Sequence, residues 1–159
     1  MRVLVLGNSG SGKSHLARAL AARHGLAHLD LDTIVWEPGQ IAVARAAQDV
    51  WRDLRAFFDA HPAWVAEGAY GDLVEQALPY CTELVFLNPG KDACLLNNAR
   101  RPWEPHKYAS MAAQQSMLPM LTDWVAQYYE RDDACSYAWH RRVFDAWQGN
   151  KREFLALQD

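Results

Sequence analysis

Residues 7–14 read Gly7-Asn8-Ser9-Gly10-Ser11-Gly12-Lys13-Ser14, matching G-x-x-x-x-G-K-[ST] at every position, between the apolar run Val3 to Leu6 and a helix-like stretch. This spacing suits a phosphate. The glycines let the backbone curl with its N–H groups inward, Lys13 reaches β- and γ-phosphates, and the Ser14 hydroxyl ligates Mg²⁺. A helix from about Ser14 to His24 adds the positive end of its dipole. The competing reading, a merely flexible Gly/Ser loop, is weakened by the strand before it and the helix after it.

A second constellation is Asp30-Leu31-Asp32, closing an expected second strand. Residues two apart on a strand point to one side, so both carboxylates are expected to face a crevice at the carboxyl end of a sheet. Two like charges there need a counter-charge. Mg²⁺ held by Ser14 and Asp30 supplies it, leaving Asp32 to orient or deprotonate an acceptor hydroxyl. Solvated strand-end carboxylates are the alternative. Further on, Glu67-Gly68-Ala69-Tyr70-Gly71-Asp72 reads either as a substrate wall carried by Glu67, Gly68 and Tyr70 or as a tight turn with Asp72 capping a helix. The two readings are compatible.

The third constellation is basic: Arg100, Arg101, His106, Lys107, Arg131, Arg141 and Arg142. Arginines on a closing segment stabilise the charge that spreads over a phosphoryl group in transfer, and Arg100 is placed on the nucleotide side. Taken singly, each is equally readable as a surface charge. His15, His24, His28, His61 and His140 lack metal-ligand spacing and read as structural or solvent-facing.

The elements that position these residues alternate. Strands are expected at Arg2 to Leu6, Ala27 to Leu31, Trp64 to Ala66 and Glu83 to Leu87, and less firmly at Glu153 to Leu157. Helices are expected at about Arg45 to Ala60, Asp72 to Leu78, Asp92 to Arg101, Ser110 to Glu130 with a break at Pro119, and Ala134 to Trp147. The order implies an α/β fold, a three-layer parallel sheet of four or five strands with helices on both faces. The Pro-rich connector Arg101 to Lys107 is a natural mobile cover, within a helical lid region of roughly residues 100–142.

The chain has 159 residues, half of them apolar, a net charge of −3 and three widely spaced cysteines. One domain is expected across residues 1–159, with reduced thiols and, lacking a signal or spanning pattern, a cytoplasmic location. The negative charge argues against a general grip on nucleic acid, and no membrane association is expected. Oligomeric state is left open.

These residues resemble the P-loop kinases of small molecules and nucleoside monophosphates, the group of adenylate and shikimate kinases. The loop Gly7 to Ser14 is similar to theirs, and Asp30-x-Asp32 is similar to the D-x-D of shikimate kinases, where the first carboxylate serves the metal and the second the substrate hydroxyl. His28 to Trp36 and Trp64 to Tyr70 resemble a topology-modulation-protein-like, adenylate-kinase-related branch. Arg131-Asp132-Asp133, with Arg141 beyond, resembles the lid end of adenylate kinases, where two arginines embrace the phosphates. The resemblance implies a P-loop NTPase fold and an ATP- and Mg²⁺-dependent phosphotransferase. Lys13, Asp32, Arg131 and Arg141 would be catalytic, with a nucleoside triphosphate and a small-molecule acceptor as partners. A Gly-Phe-Pro-Arg-like motif and a triple-glycine wall are absent, so the acceptor stays open. The alternatives are a nucleotide-binding regulator, with DNA association as one form of it, and a switch or motor NTPase. Against the last, Asn88-Pro-Gly-Lys-Asp92 departs from N-K-x-D by two inserted residues.

Overall fold

The computed structural model describes residues 1–40 and 42–158. Five strands, β1 (Arg2–Gly7), β2 (Ala27–Asp30), β3 (Trp64–Gly68), β4 (Glu83–Leu87) and β5 (Asn150–Phe154), form one sheet. Their order is β2-β3-β1-β4-β5, all parallel. Helices α1 (Lys13–His24), α2 (Asp32–Val35), α3 (Ala47–Ala60), α4 (Gly71–Ala77), α5 (Lys91–Ala99), α6 (Met111–Ala126) and α7 (Tyr137–Ala146) complete the chain. No helix among the described residues is long and apolar enough to cross a membrane.

Strand alternation divides the core between the two sheet faces. Leu4, Leu6, Trp64, Ala66, Leu84 and Phe86 pack on α3, α4 and α7 through Leu54, Phe58, Val74 and Phe144. Val3, Val5, Val65 and Val85 pack on α1 through Ala17, Leu16 and Leu20. The expected three layers are present. Because the strand order reverses beside β1, the carboxyl ends of β1, β2 and β3 open on a common crevice.

Four local expectations are corrected. The second strand ends at Asp30, and Asp32 opens the short helix α2. α4 begins at Gly71, so Asp72 lies inside its first turn rather than capping it. Pro119 does not break α6: it and Gln115, whose carbonyl loses its partner, lie on the exposed side, where water satisfies the freed group. β5 starts at Asn150, earlier than the apolar tail suggested, because an edge strand can be polar; Arg152 pairs with Glu83 of β4, and Leu155 is exposed. The three cysteines are free thiols, with Cys81 and Cys94 buried.

Candidate functional site

The loop after β1 is shaped by contacts that side chains would block. A Cβ on Gly7 would meet the Leu87 carbonyl oxygen at 2.5 Å, and one on Gly10, at φ +79°, the Cys94 carbonyl oxygen at 2.3 Å. Gly12, also at positive φ, leads into α1 with no side chain capping the helix, so the first-turn amides stay available to an anion. Helix α5 braces the loop. Asn97 Nδ2 donates to the Gly10 carbonyl at 2.8 Å, and Ser9 Oγ donates to Asn98 Oδ1 at 3.1 Å. Asn8 donates to the Val125 carbonyl at the end of α6. Neither brace carries a sequence signature, since Asn97 and Asn98 act through packing that only the fold creates.

Lys13 is 8 % exposed and its Nζ donates to the Asn8 carbonyl at 2.8 Å. Burial holds the ammonium below its ordinary pKa, against the pull of Glu67 and Asp32. A cavity of about 470 Å³ lies between this loop and the connector, lined by Lys13, Ser14, His15 and Arg18 on one side and Asn97, Arg100 and residues 101–106 on the other. Its size is that of a small-ligand site.

Across the crevice, Asp30 and Asp32 converge although a turn, not a strand, separates them. The Asp32 amide donates to Asp30 Oδ1 at 3.0 Å. Between the carboxylates sits the ammonium of Lys107, 2.7 Å from Asp32 Oδ2 and 3.5 Å from Asp30 Oδ2, and 3.5 Å from Glu104 Oε1. Tyr70 donates its hydroxyl to Asp32 Oδ1, and Trp36 Nε1 donates to that hydroxyl at 2.8 Å. Burial raises the Asp30 pKa, and the charges of Asp32 and Glu67 raise it further. Burial also pushes on Asp32, but Lys107 and the Tyr70 hydrogen bond outweigh it and hold that carboxyl below its usual range. The same carboxylates, against burial, raise Lys107.

Glu67 is 2 % exposed. It lies beneath the phosphate loop, not on an open wall. Burial disfavours its charge, but His28, Lys13 and the Ser14 hydroxyl together hold its pKa low. Its Oε1 and His28 Nε2 are 3.7 Å apart, and both atoms are buried without a hydrogen-bond partner. Among the described residues no three His, Cys, Asp or Glu side chains form a metal-holding group by themselves, but Ser14, Asp30 and Glu67 offer hard oxygen donors to a Mg²⁺ that takes its other ligands from phosphate and water, with one orphaned oxygen and one carboxylate already facing a cation. The group fits.

The remaining expected residues separate. Gly68 is explained by packing, since a Cβ there would lie 2.9 Å from Leu31 Cδ1. Arg131 stacks 4.3 Å from the Trp124 ring centre and donates Nη2 to the Cys135 carbonyl at 3.1 Å, while its buried Nη1 has no partner. Arg141, expected at the phosphates, is instead committed to Glu153 of β5 and to Asp145, over the rings of Phe86 and Tyr137. A carboxylate on the edge strand captured it. His140, fully buried, holds the turn that carries Tyr70. The Ala69 carbonyl, 2.7 Å from Nε2, can only accept, so that nitrogen bears the proton and Nδ1 accepts from the Tyr128 hydroxyl at 2.8 Å.

The sheet order, the glycine loop entering α1 and the covering connector define a P-loop kinase-like fold. A gluconokinase from Sinorhizobium meliloti 1021 shares it, with a TM-score of 0.51 and 18 % identity over 99 % of this chain and 83 % of that one. So does the YorR protein of Bacillus subtilis, solved in complex with phosphorylated GDP, with a TM-score of 0.52 and 9 % identity over 97 % of this chain and 85 % of that one. No protein-family model matches the sequence, and a search of the curated proteins finds no match either.

Proposed function

We propose that the chain is an ATP- and Mg²⁺-dependent phosphotransferase of the cytoplasm, moving the γ-phosphoryl group to a nucleotide or a small hydroxyl-bearing metabolite. One observation carries this reading: a glycine loop with Lys13 faces the carboxylates Asp30 and Asp32 across a crevice roofed by a basic connector. The hydrogen-bond chain from Trp36 through Tyr70 to Asp32, which fixes one carboxylate in the crevice, supports an acceptor over plain nucleotide hydrolysis.

The loop amides and Lys13 hold the polyphosphate, with Arg100 and Arg101 closing the cavity from the connector. Ser14, Asp30 and Glu67 would hold Mg²⁺, which neutralises charge on the β- and γ-phosphates when bound. Asp32 orients the acceptor hydroxyl. In a loose phosphoryl transition state this positioning matters more than early proton removal. Arg131, whose Nη1 is buried without a partner although its Nε lies beside Asp133, is the remaining lid arginine assigned here to developing charge.

The test is a panel of nucleoside monophosphates, sugars and other small alcohols incubated with γ-labelled ATP. Label appearing in one acceptor supports the reading. ATP loss indifferent to every acceptor refutes it.

A further inference from the structure

We propose that Lys107 is a tethered cation occupying the metal-side position between Asp30 and Asp32 in the nucleotide-free protein, and that a divalent ion displaces it and so releases the connector. The claim rests on the reading of Asp30 as a cation ligand, but on no particular acceptor and on no measurement of transfer.

Three carboxylates, Asp30, Asp32 and Glu67, are crowded into one partly buried crevice, and their mutual repulsion requires positive charge. Lys13 supplies some from below. Lys107 supplies the rest from a segment distant in sequence, with its side chain only 19 % exposed. That ammonium makes the contact pattern of a bound ion, bridging Asp30, Asp32 and Glu104.

The segment bearing it is internally tied. Trp103 Nε1 donates to the Tyr108 carbonyl at 3.0 Å, the Lys107 amide donates to the Glu104 carbonyl at 3.0 Å, and the Glu104 amide donates to Gln114 Oε1 at 2.8 Å. Among the described residues, its polar side-chain links to the phosphate loop and strand ends are Lys107 and a long 3.4 Å contact from Arg101 to Ser9. Releasing Lys107 therefore frees the segment from the strand ends, while Gln114 of α6 keeps its hold on Glu104 and the Arg101 and Pro102 carbonyls. The 470 Å³ cavity is lined by the connector and the loop but not by Asp30 or Asp32. Polyphosphate can thus enter while Asp30 and Asp32 stay paired with Lys107, and the metal it brings competes for Asp30 with two charges against one.

The probe is Mn²⁺ alone, without nucleotide, with binding read by paramagnetic resonance and amide exchange followed across residues 101–108. In the natural chain, saturating Mn²⁺ should raise exchange in that segment. Lys107→Met should bind Mn²⁺ about tenfold more tightly, the scale of one removed competing charge, and should show high segment exchange already without metal. Lys107→Arg should restore weak binding and slow exchange. Unchanged or weaker Mn²⁺ binding by a folded Lys107→Met variant overturns the proposal. If that variant does not fold, the natural chain decides, because segment exchange indifferent to bound Mn²⁺ overturns it as well. A chain that transfers no phosphoryl group yet shows this exchange would keep the latch and lose the activity, so the two failures are separable.

Discussion

Asp30 and Glu67 are register partners on the adjacent parallel strands β2 and β3, so their carboxyl groups leave the sheet on the same face, the one covered by α1. Glu67 there meets the Ser14 hydroxyl. If this pair holds the metal, Glu67→Gln should raise the Mg²⁺ concentration for half-maximal transfer about tenfold, with the nucleotide KM at saturating Mg²⁺ changing far less. A Mg²⁺ titration of initial rate checks this, and an unchanged Mg²⁺ requirement removes Glu67 from the metal shell.

Asp32 is aimed by Tyr70, which is itself held by Trp36. Asp32→Asn should lower kcat about 100-fold or more with little change in nucleotide affinity, whereas Tyr70→Phe should cost about tenfold, since it loosens the carboxylate without deleting it. Steady-state kinetics together with nucleotide calorimetry separate the two. Equal loss of kcat and nucleotide affinity in Asp32→Asn would move that residue into the phosphate site.

Gly10 combines a φ of +79° with a backbone carbonyl where its Cβ would stand. Gly10→Ala should destabilise the fold by about 1–3 kcal/mol, from left-handed strain and the forced shift of α5. The measurement is denaturant unfolding, and a variant as stable as the natural chain contradicts the packing argument.

His140 is buried neutral, its pKa lowered by desolvation to about 4 from 6.5. Between these values the unfolded chain binds the extra proton, so stability rises with pH through this window: the contribution is full above pH 6.5 and disappears as pH falls towards about 4. Its upper scale is about 3 kcal/mol. His140→Gln, which retains an N–H donor for the Ala69 carbonyl, should be less stable near neutrality but flatter in melting temperature between pH 6.5 and 4. An equally steep profile assigns the dependence to other groups.

What was legible in the chain by itself is what is local. The phosphate loop is eight consecutive residues whose glycine positions answer to backbone geometry. The alternation of β-rich and amphipathic runs specifies a parallel sheet with two covered faces, because each face must bury its own apolar set. Asp30 and Asp32 were visible as a pair, yet their convergence depends on a turn into α2 rather than on strand alternation. The break expected at Pro119 did not occur: α6 continues through it, with the freed Gln115 carbonyl on the exposed side where water lowers the cost of the lost hydrogen bond. What only the tertiary structure decided is which charges meet. Lys107 reaches Asp30 and Asp32, Glu67 slides beneath the loop beside His28, and Arg141 is drawn away to Glu153. Charge pairing acts over a few ångströms between segments far apart in sequence, so no spacing along the chain encodes it until strand order and register bring those segments together.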